Sequence, residues 1–351
     1  MGKIQIVILF GGYSSEYDVS LQSAHAIIAN LDKEKYDPIL IGITREGKWL
    51  RYRGDVDHIL SNTWFEDHTY CHSIVISLDR HENKLIEFHH DDSMETVTID
   101  AIFPILHGKY GEDGTVQGIA EIAGIPIVGC NTLSSAVCMD KRKAHQIVSL
   151  TGIHTPSSLE FSRNHVLADI LEQAKQLNYP LFIKPVKAGS SYGITKVYQD
   201  DELPSAINKA FQYDDKLVIE ANIDGFEVGC AILGNHDLTI GEVDEIELAS
   251  GFFDFNEKYT LETAKIHVPA RLDAYLTEKV KEAAATIYRA LDCSGLARVD
   301  MFLTPDKQIV FNEVNTFPGF TAHSRYPTMM KEIGIEFTDL LDRLIQLGLE
   351  K

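Results

Sequence analysis

The chain has 351 residues, 44% of them hydrophobic and only 11 of them proline, which excludes a disordered polymer and predicts two or three domains rather than one small core. Fifty-two acidic residues against 32 basic ones leave a net charge of −20. That excludes the broad basic face of a nucleic-acid binder, and it means that an anionic ligand needs locally clustered cations and a metal.

The first apolar run, "IQIVILF" (4–10), is far shorter than the roughly 20 residues of a membrane span, and it ends in Gly11-Gly12 without a secretory cleavage site. It reads as a strand. "VSLQSAHAIIANL" follows with helical spacing, its N-cap predicted at Asp18 or Ser20, and "DPILIGITREGKW" reads as a second strand. Such a β-α-β opening predicts a parallel sheet. Residues 52–98 are irregular and histidine-rich; "HHDDSMET" (89–96) is expected to be a solvated loop, with a metal site as the alternative. "AIFPILHG" (101–108) and "GIPIVGC" (124–130) read as buried strands. "TLSSAVCMDKRKAHQIVSLTG" reads as one helix, capped by Ser134 or Ser135 and closed by Gly152. Beyond about residue 155 the rhythm changes to hairpins: "LFIKPVKAGSSYGITKV" (181–197), then the strands of "KLVIEANIDGFEVGCAILG" and "LTIGEVDEIEL", then a polar loop. An amphipathic helix over 273–291, the strand pair "ARVDMFL" and "QIVFNEV", and a closing helix in "FTDLLDRLIQL" complete an outline that is α/β first and α+β after. Cys71, Cys130, Cys138, Cys230 and Cys293 form no CxxC pair, as expected of reduced thiols in a cytoplasm.

Four local features carry chemistry. Side chains alternate along a strand, so Glu313 and Asn315 share a face about 7 Å apart, and an antiparallel neighbour would add Asp300. This all-oxygen set suits Mg²⁺, although a salt-bridged cluster around Arg298 fits the same strands equally well. "IKPVKAGSSYG" places Lys184 after buried-looking residues and next to a small-residue turn able to lie over phosphates. It is not a Walker A loop, because two strands flank it. Glu220 and Glu227 sit where one strand ends and the next begins, a place for ribose hydroxyls. Glu16 precedes the first helix, where compensation of the helix dipole is the plainer reading.

Taken together, "FGGYSSEYDVS", "LHGKYGEDGTVQG", "MDK", "FIKPVKAGSSYGITKV", "EVDEIEL", "EKYTL", "GLARVDMF" and "FNEVNTFPGFTAHSRYP" make the sequence resemble the D-alanine–D-alanine ligase family of ATP-grasp enzymes over essentially its full length. The resemblance implies an N-terminal parallel-sheet α/β domain (1–130), a central ATP-grasp domain (131–222) and a C-terminal ATP-grasp domain (223–351) with the metal site and a lid at 249–263. It implies ATP held by Lys141, Lys184, Ser190, Glu220, Glu227 and Lys258, and two Mg²⁺ ions, or Mn²⁺, at Asp300, Glu313 and Asn315. Glu16, with His107 nearby, would bind the ammonium of the first D-alanine, and Glu16, Ser190 and Tyr259 would form a triad closing the loop. Arg298 and the Gly319 N–H would stabilise an oxyanion, and Ser324 would hold the carboxylate of the second substrate. Where dedicated D-alanine ligases carry an aliphatic residue this chain has Arg325. With Lys258-Tyr259, Asp244 and Phe253 it most resembles the G-type vancomycin-resistance D-alanine–D-serine ligases. The expected partners are therefore D-alanine, a second D-amino acid and a second copy of the chain. D-alanine as second substrate, another ATP-grasp ligase and a non-catalytic nucleotide-binding module are the alternatives.

Overall fold

The computed structural model describes residues 2–189, 192–248 and 264–350, whose strands gather into three sheets. The first sheet opens with the predicted unit: β1 (Ile4–Gly11), the helix Tyr17–Asn30, and β2 (Tyr36–Ile43) parallel to β1. Ile6 to Phe10 are wholly buried, as a parallel strand covered on both faces must be. The N-cap position is Glu16, not Asp18 or Ser20. Ser20 lies inside the helix, where its Oγ accepts a hydrogen bond from the Gly11 N–H at 2.8 Å and donates to the Ile105 carbonyl.

Two expectations for this region are corrected. "DPILIGITREGKW" is not one strand. The chain turns at 44–48 and returns antiparallel as β3 (Trp49–Tyr52). Residues 52–98 are not mainly loop either, because β4 (Cys71–Ile76), β5 (Lys84–Phe88) and β6 (Met94–Thr98) extend the sheet antiparallel, in short half-exposed strands whose alternation histidines and charges dilute. β7 (Ala101–Pro104) returns beside β1 to complete the order β6-β5-β4-β3-β2-β1-β7. "GIPIVGC" contributes only an Ile102–Ile127 bridge, Pro126 having no N–H for a longer ladder. The long helix predicted over 132–152 is two, Thr132–Met139 and Lys141–Ser149. Asn131 caps the first through the Ser134 N–H at 2.8 Å, and Asp140, in extended conformation, caps the second through the Lys143 N–H at 3.0 Å. The break puts Lys141 in a first helical turn.

The second sheet runs β10 (Thr195–Val197), β9 (Leu181–Pro185), β11 (Lys216–Ala221), β8 (Ser158–Ser162), and contains the expected β9–β10 hairpin. In the third, β12 (Phe226–Leu233) is flanked by β13 (Thr239–Leu248) and β15 (Leu296–Leu303), with β14 (Ala264–His267) and β16 (Ile309–Asn315) outside them. The helix Ala274–Ala290 covers its apolar face with Val280, Ala284 and Ile287. One apolar cluster joins Phe10, Tyr17 and Phe103 of the first sheet region to Phe320, Tyr326 and Leu344 near the C-terminus. The helices Arg325–Glu332 and Phe337–Leu349 thus share a core with the first strand. All five cysteines are buried thiols, and no helix among the described residues is long and apolar enough to cross a membrane.

Candidate active site

β15 and β16 form a wall shared by two adjoining cavities on one of its faces. Their register opposes Arg298 to Asn315 and Asp300 to Glu313, and then slips by one residue, leaving Asn312 as the extra residue of a bulge. The slip lets Phe311 and Val314 both reach the core, while Glu313 faces the larger cavity and Asn315 the smaller. Arg298 clamps Asp300 bidentately, Nε to Oδ1 at 2.8 Å and Nη2 to Oδ2 at 2.7 Å, and Asn315 Nδ2 donates to Oδ2 at 2.8 Å. The cluster around Arg298 and the convergence of Asp300, Glu313 and Asn315 are therefore one arrangement. With its amide nitrogen turned to Asp300, Asn315 keeps its oxygen for a cation, and two carboxylates facing one another across the strands give a hard oxygen set that fits a dication.

The larger cavity, about 520 Å³, lies between the second and third sheets. Lys184 on β9 and Glu220 on β11 are diagonal neighbours that meet at 2.5 Å, and both line it. Burial alone would push the Glu220 carboxyl up, but the Lys184 ammonium beside it holds it below the usual carboxylate range. His145, which sequence reasoning missed, sends Nε2 to the Asn312 carbonyl at 2.7 Å and places Nδ1 3.6 Å from Glu220 Oε1. Burial lowers its pKa, so the neutral ring offers Nδ1 as an acceptor, and Glu220 Oε1 has no hydrogen-bond donor among the described residues. Lys141 donates to the Ala188 carbonyl at 2.8 Å and stands 3.7 Å from Glu313, linking the β9–β10 turn to the wall.

The smaller cavity, about 290 Å³, is lined by Glu16, His107, Arg298, Asn315, Gly319 and Ser324 among others. A Cβ on Gly108 or Gly189 would fall within contact distance of Glu16 Oε2, so glycine at both positions lets the two loops close on this carboxylate. Glu112, also missed, accepts from the Gly108 N–H at 2.7 Å and the Phe317 N–H at 3.1 Å. Burial and then the neighbouring Glu16 carboxylate push its pKa up. A glutamate between glycines in "KYGEDG" was the available signal. Ser324 Oγ accepts from the Thr321 N–H at 3.0 Å and holds the Gly319–Ser324 loop.

His107 Nδ1 faces the Phe317 carbonyl at 3.0 Å, which fixes the proton there, and Nε2 faces Ser23 Oγ at 3.1 Å. Burial lowers its pKa to about 4, so the ring is neutral and braces the pocket rather than carrying charge. An unfolded histidine titrates near 6.5, so between about pH 6.5 and 4 the unfolded chain takes a proton that the folded one refuses. Stability is then expected to fall with pH by roughly 1.4 kcal/mol per unit in that window. Urea unfolding of His107→Gln, which lacks this titration, should show a shallower acid limb than the parent.

Arg325 opens the helix Arg325–Glu332, an unfavourable end for a cation, and is offset by three carboxylates. Its Nε and Nη2 clamp Asp244 at 2.6 and 2.8 Å, Nη1 reaches Glu227 at 3.0 Å, and Nη2 lies 3.4 Å from Asp300. Asp244 is wholly buried behind Arg325 and does not line the smaller cavity. Asp244 thus meets the smaller cavity only through the arginine. Glu227 lines the larger cavity while bonded to Arg325, so it links the two sites as well as edging the nucleotide region. Ser190, Phe253, Lys258 and Tyr259, and with them the lid, lie outside the described residues.

Comparison with known proteins matches residues 5–130 to the family description "D-ala D-ala ligase N-terminus" and residues 147–346 to "D-ala D-ala ligase C-terminus". A D-alanine–D-alanine ligase of Caldicellulosiruptor bescii is 42% identical, over 100% of this chain and 96% of that protein. The vancomycin C-type resistance protein VanC1 of Enterococcus gallinarum is 44% identical, over 99% and 98%. The crystal structure of the VanG D-Ala:D-Ser ligase from Enterococcus faecalis superposes with a TM-score of 0.91 at 55% identity, covering 99% of this chain and 100% of that one. The two cavities, the sheets that frame them and these full-length likenesses agree: the chain belongs to the D-alanine–D-alanine ligase family of ATP-dependent ligases with the ATP-grasp architecture.

Proposed function

We propose that the protein joins D-alanine to a second D-amino acid, D-serine, at the expense of ATP, making a D-Ala–D-Ser dipeptide for peptidoglycan within the vancomycin-resistance branch. The observation that carries this reading is the β15–β16 wall, along one face of which a lysine-lined cavity and a carboxylate-lined one adjoin at Glu313 and Asn315, beside Asp300. ATP lies in the larger cavity, with Lys141 and Lys184 on its phosphates and Glu220, whose Oε1 has no donor among the described residues, beside a nucleotide hydroxyl. Asp300, Glu313 and Asn315 would hold Mg²⁺, which when bound supplies positive charge at the transferring phosphoryl group.

Glu16 and Glu112 hold the ammonium of the first D-alanine, directing its carboxylate towards Arg298. A carboxylate oxygen attacks the γ-phosphorus, the bond to ADP breaks, and a D-alanyl phosphate forms. The amine of the second amino acid, having lost a proton, then attacks the acyl carbon, and phosphate leaves with the acyl C–O bonding pair. Arg298 and the Gly319 N–H stabilise the oxyanion between these events.

For the second substrate, the Arg325 guanidinium has five N–H donors. Three donate to Asp244 and Glu227, and Nη2 also stands 3.4 Å from Asp300, so one Nη1 hydrogen has no partner among the described residues and suits a seryl hydroxyl at the smaller cavity that Arg325 lines. A site that bonds a substrate hydroxyl discriminates against the analogue lacking it. Phosphate release with D-alanine alone, with D-alanine plus D-serine, and with D-alanine plus D-lactate, the products being weighed by mass spectrometry, tests this. D-Ala–D-Ser is expected as the main product of the mixed amino acids. D-Ala–D-Ala alone removes the serine preference and keeps the ligase, whereas no turnover with any pair removes the ligase.

A further inference from the structure

Away from both cavities, the histidine-rich segment of the first sheet builds a second constellation. Ile74 on β4 pairs with Glu87 on β5, and Ser73 with Phe88, so alternation puts His72, Glu87 and His89 on one face. Their ligand atoms lie within 4.8 Å of one another, and the His72 and His89 rings meet edge-on at 4.8 Å between centroids. Glu87 is wholly buried. His72 Nδ1 is also buried and has no hydrogen-bond partner among the described residues.

We propose that His72, Glu87 and His89 form a binding site for a borderline transition-metal dication of the Zn²⁺ class. Two imidazoles and one carboxylate, with water in the fourth position, are a zinc donor set and a poor one for Mg²⁺ or Ca²⁺, which take oxygen ligands.

The neighbouring arginines sharpen that choice. Arg53 grips Glu87 through Nε to Oε1 at 3.2 Å and Nη2 to Oε2 at 2.7 Å, and Arg51 Nη1 stands 3.9 Å from Oε2. Two guanidinium charges oppose a cation held by electrostatics alone. Only a metal that gains coordinate bonds from imidazole overcomes them. Glu95, 3.3 Å from Arg53 and 3.5 Å from His89, offsets part of that charge. A carboxylate has about four lone-pair positions; the Arg53 grip occupies two and fixes the carboxylate's orientation, as hydrogen bonds behind metal ligands commonly do. Zinc bonds of about 2.0–2.2 Å require ligand atoms closer together than those here, and His89, with a side chain 26% exposed, has the freedom to close the gap. The bound ion would staple β4 to β5.

The test uses the untagged full-length chain, stripped with a chelator and titrated with Co²⁺ or Zn²⁺ alone, without nucleotide. Wild type is compared with His72→Ala, His89→Ala and Asp300→Asn. Expected are one tetrahedral Co²⁺ spectrum displaced by one equivalent of Zn²⁺, at least tenfold weaker in each histidine variant and unchanged in Asp300→Asn. Zn²⁺ should also raise the melting temperature of the wild type and not of His72→Ala. Equal uptake by wild type and both histidine variants overturns the site, as does uptake lost only in Asp300→Asn. Since Glu87→Gln strands two arginines and endangers folding, the histidine variants decide.

Discussion

Arg325→Leu is expected to destabilise the protein by about 3–5 kcal/mol, the usual cost of removing one partner from a buried ion pair. The reason is the company that Arg325 keeps. Asp244 has no exposed surface and depends on this guanidinium, and Glu227 and Asp300 share it. Burial by itself would lower the arginine's pKa, but the three carboxylates raise it further; without it, a wholly buried carboxylate loses its counter-charge. Denaturant unfolding should show the loss, and Asp244→Asn in the same chain should restore most of it. That pair of variants also makes the specificity test interpretable. In the rescued double variant the D-Ala–D-Ser to D-Ala–D-Ala ratio is expected to fall, since the remaining Nη1 donor is gone. An unchanged ratio removes Arg325 from substrate selection.

Lys184→Met is the other large effect. It is expected to lower phosphate release from ATP by about 10²–10³-fold, the range for deleting one preorganised charge partner of a transition state, and also to cost stability, because Glu220 is left almost fully buried without the ammonium that meets it. The two losses separate. Glu220→Gln added to Lys184→Met should recover the unfolding midpoint and leave turnover low. If turnover recovers together with stability, Lys184 supports the cavity and does not serve the phosphates.

β1, a continuous apolar run, and the paired strands β15 and β16 were legible in the sequence, and so was the shared face of Glu313 and Asn315, because a period of two is a local property. What escaped was non-local. Nothing near Arg325 announces Asp244, 81 residues earlier, although "SRYP" does carry a helix-start signal, since Pro327 in the first turn forgoes an N–H that needs no partner. His145 sat unnoticed on a helix face until β11 and the Asn312 bulge came to meet it. The bulge itself has no sequence signature. It is a difference in length between two strands, visible only once they pair. Short strands β3 to β6 were hidden for another reason: half exposed, they mix histidines and charges into positions that a buried strand would keep apolar.

The apolar cluster joining the first strand to the last helices has a bearing on how the protein is made. Phe10, Tyr17 and Phe103 leave the ribosome long before Phe320, Tyr326 and Leu344, yet they bury one another. Contacts this distant along the chain are slow to form, and exposed apolar surface is hazardous while it waits. The nascent N-terminal segment therefore keeps an unfilled greasy flank until those partners arrive, and the smaller cavity on that flank closes only once residues 315–325 have been made.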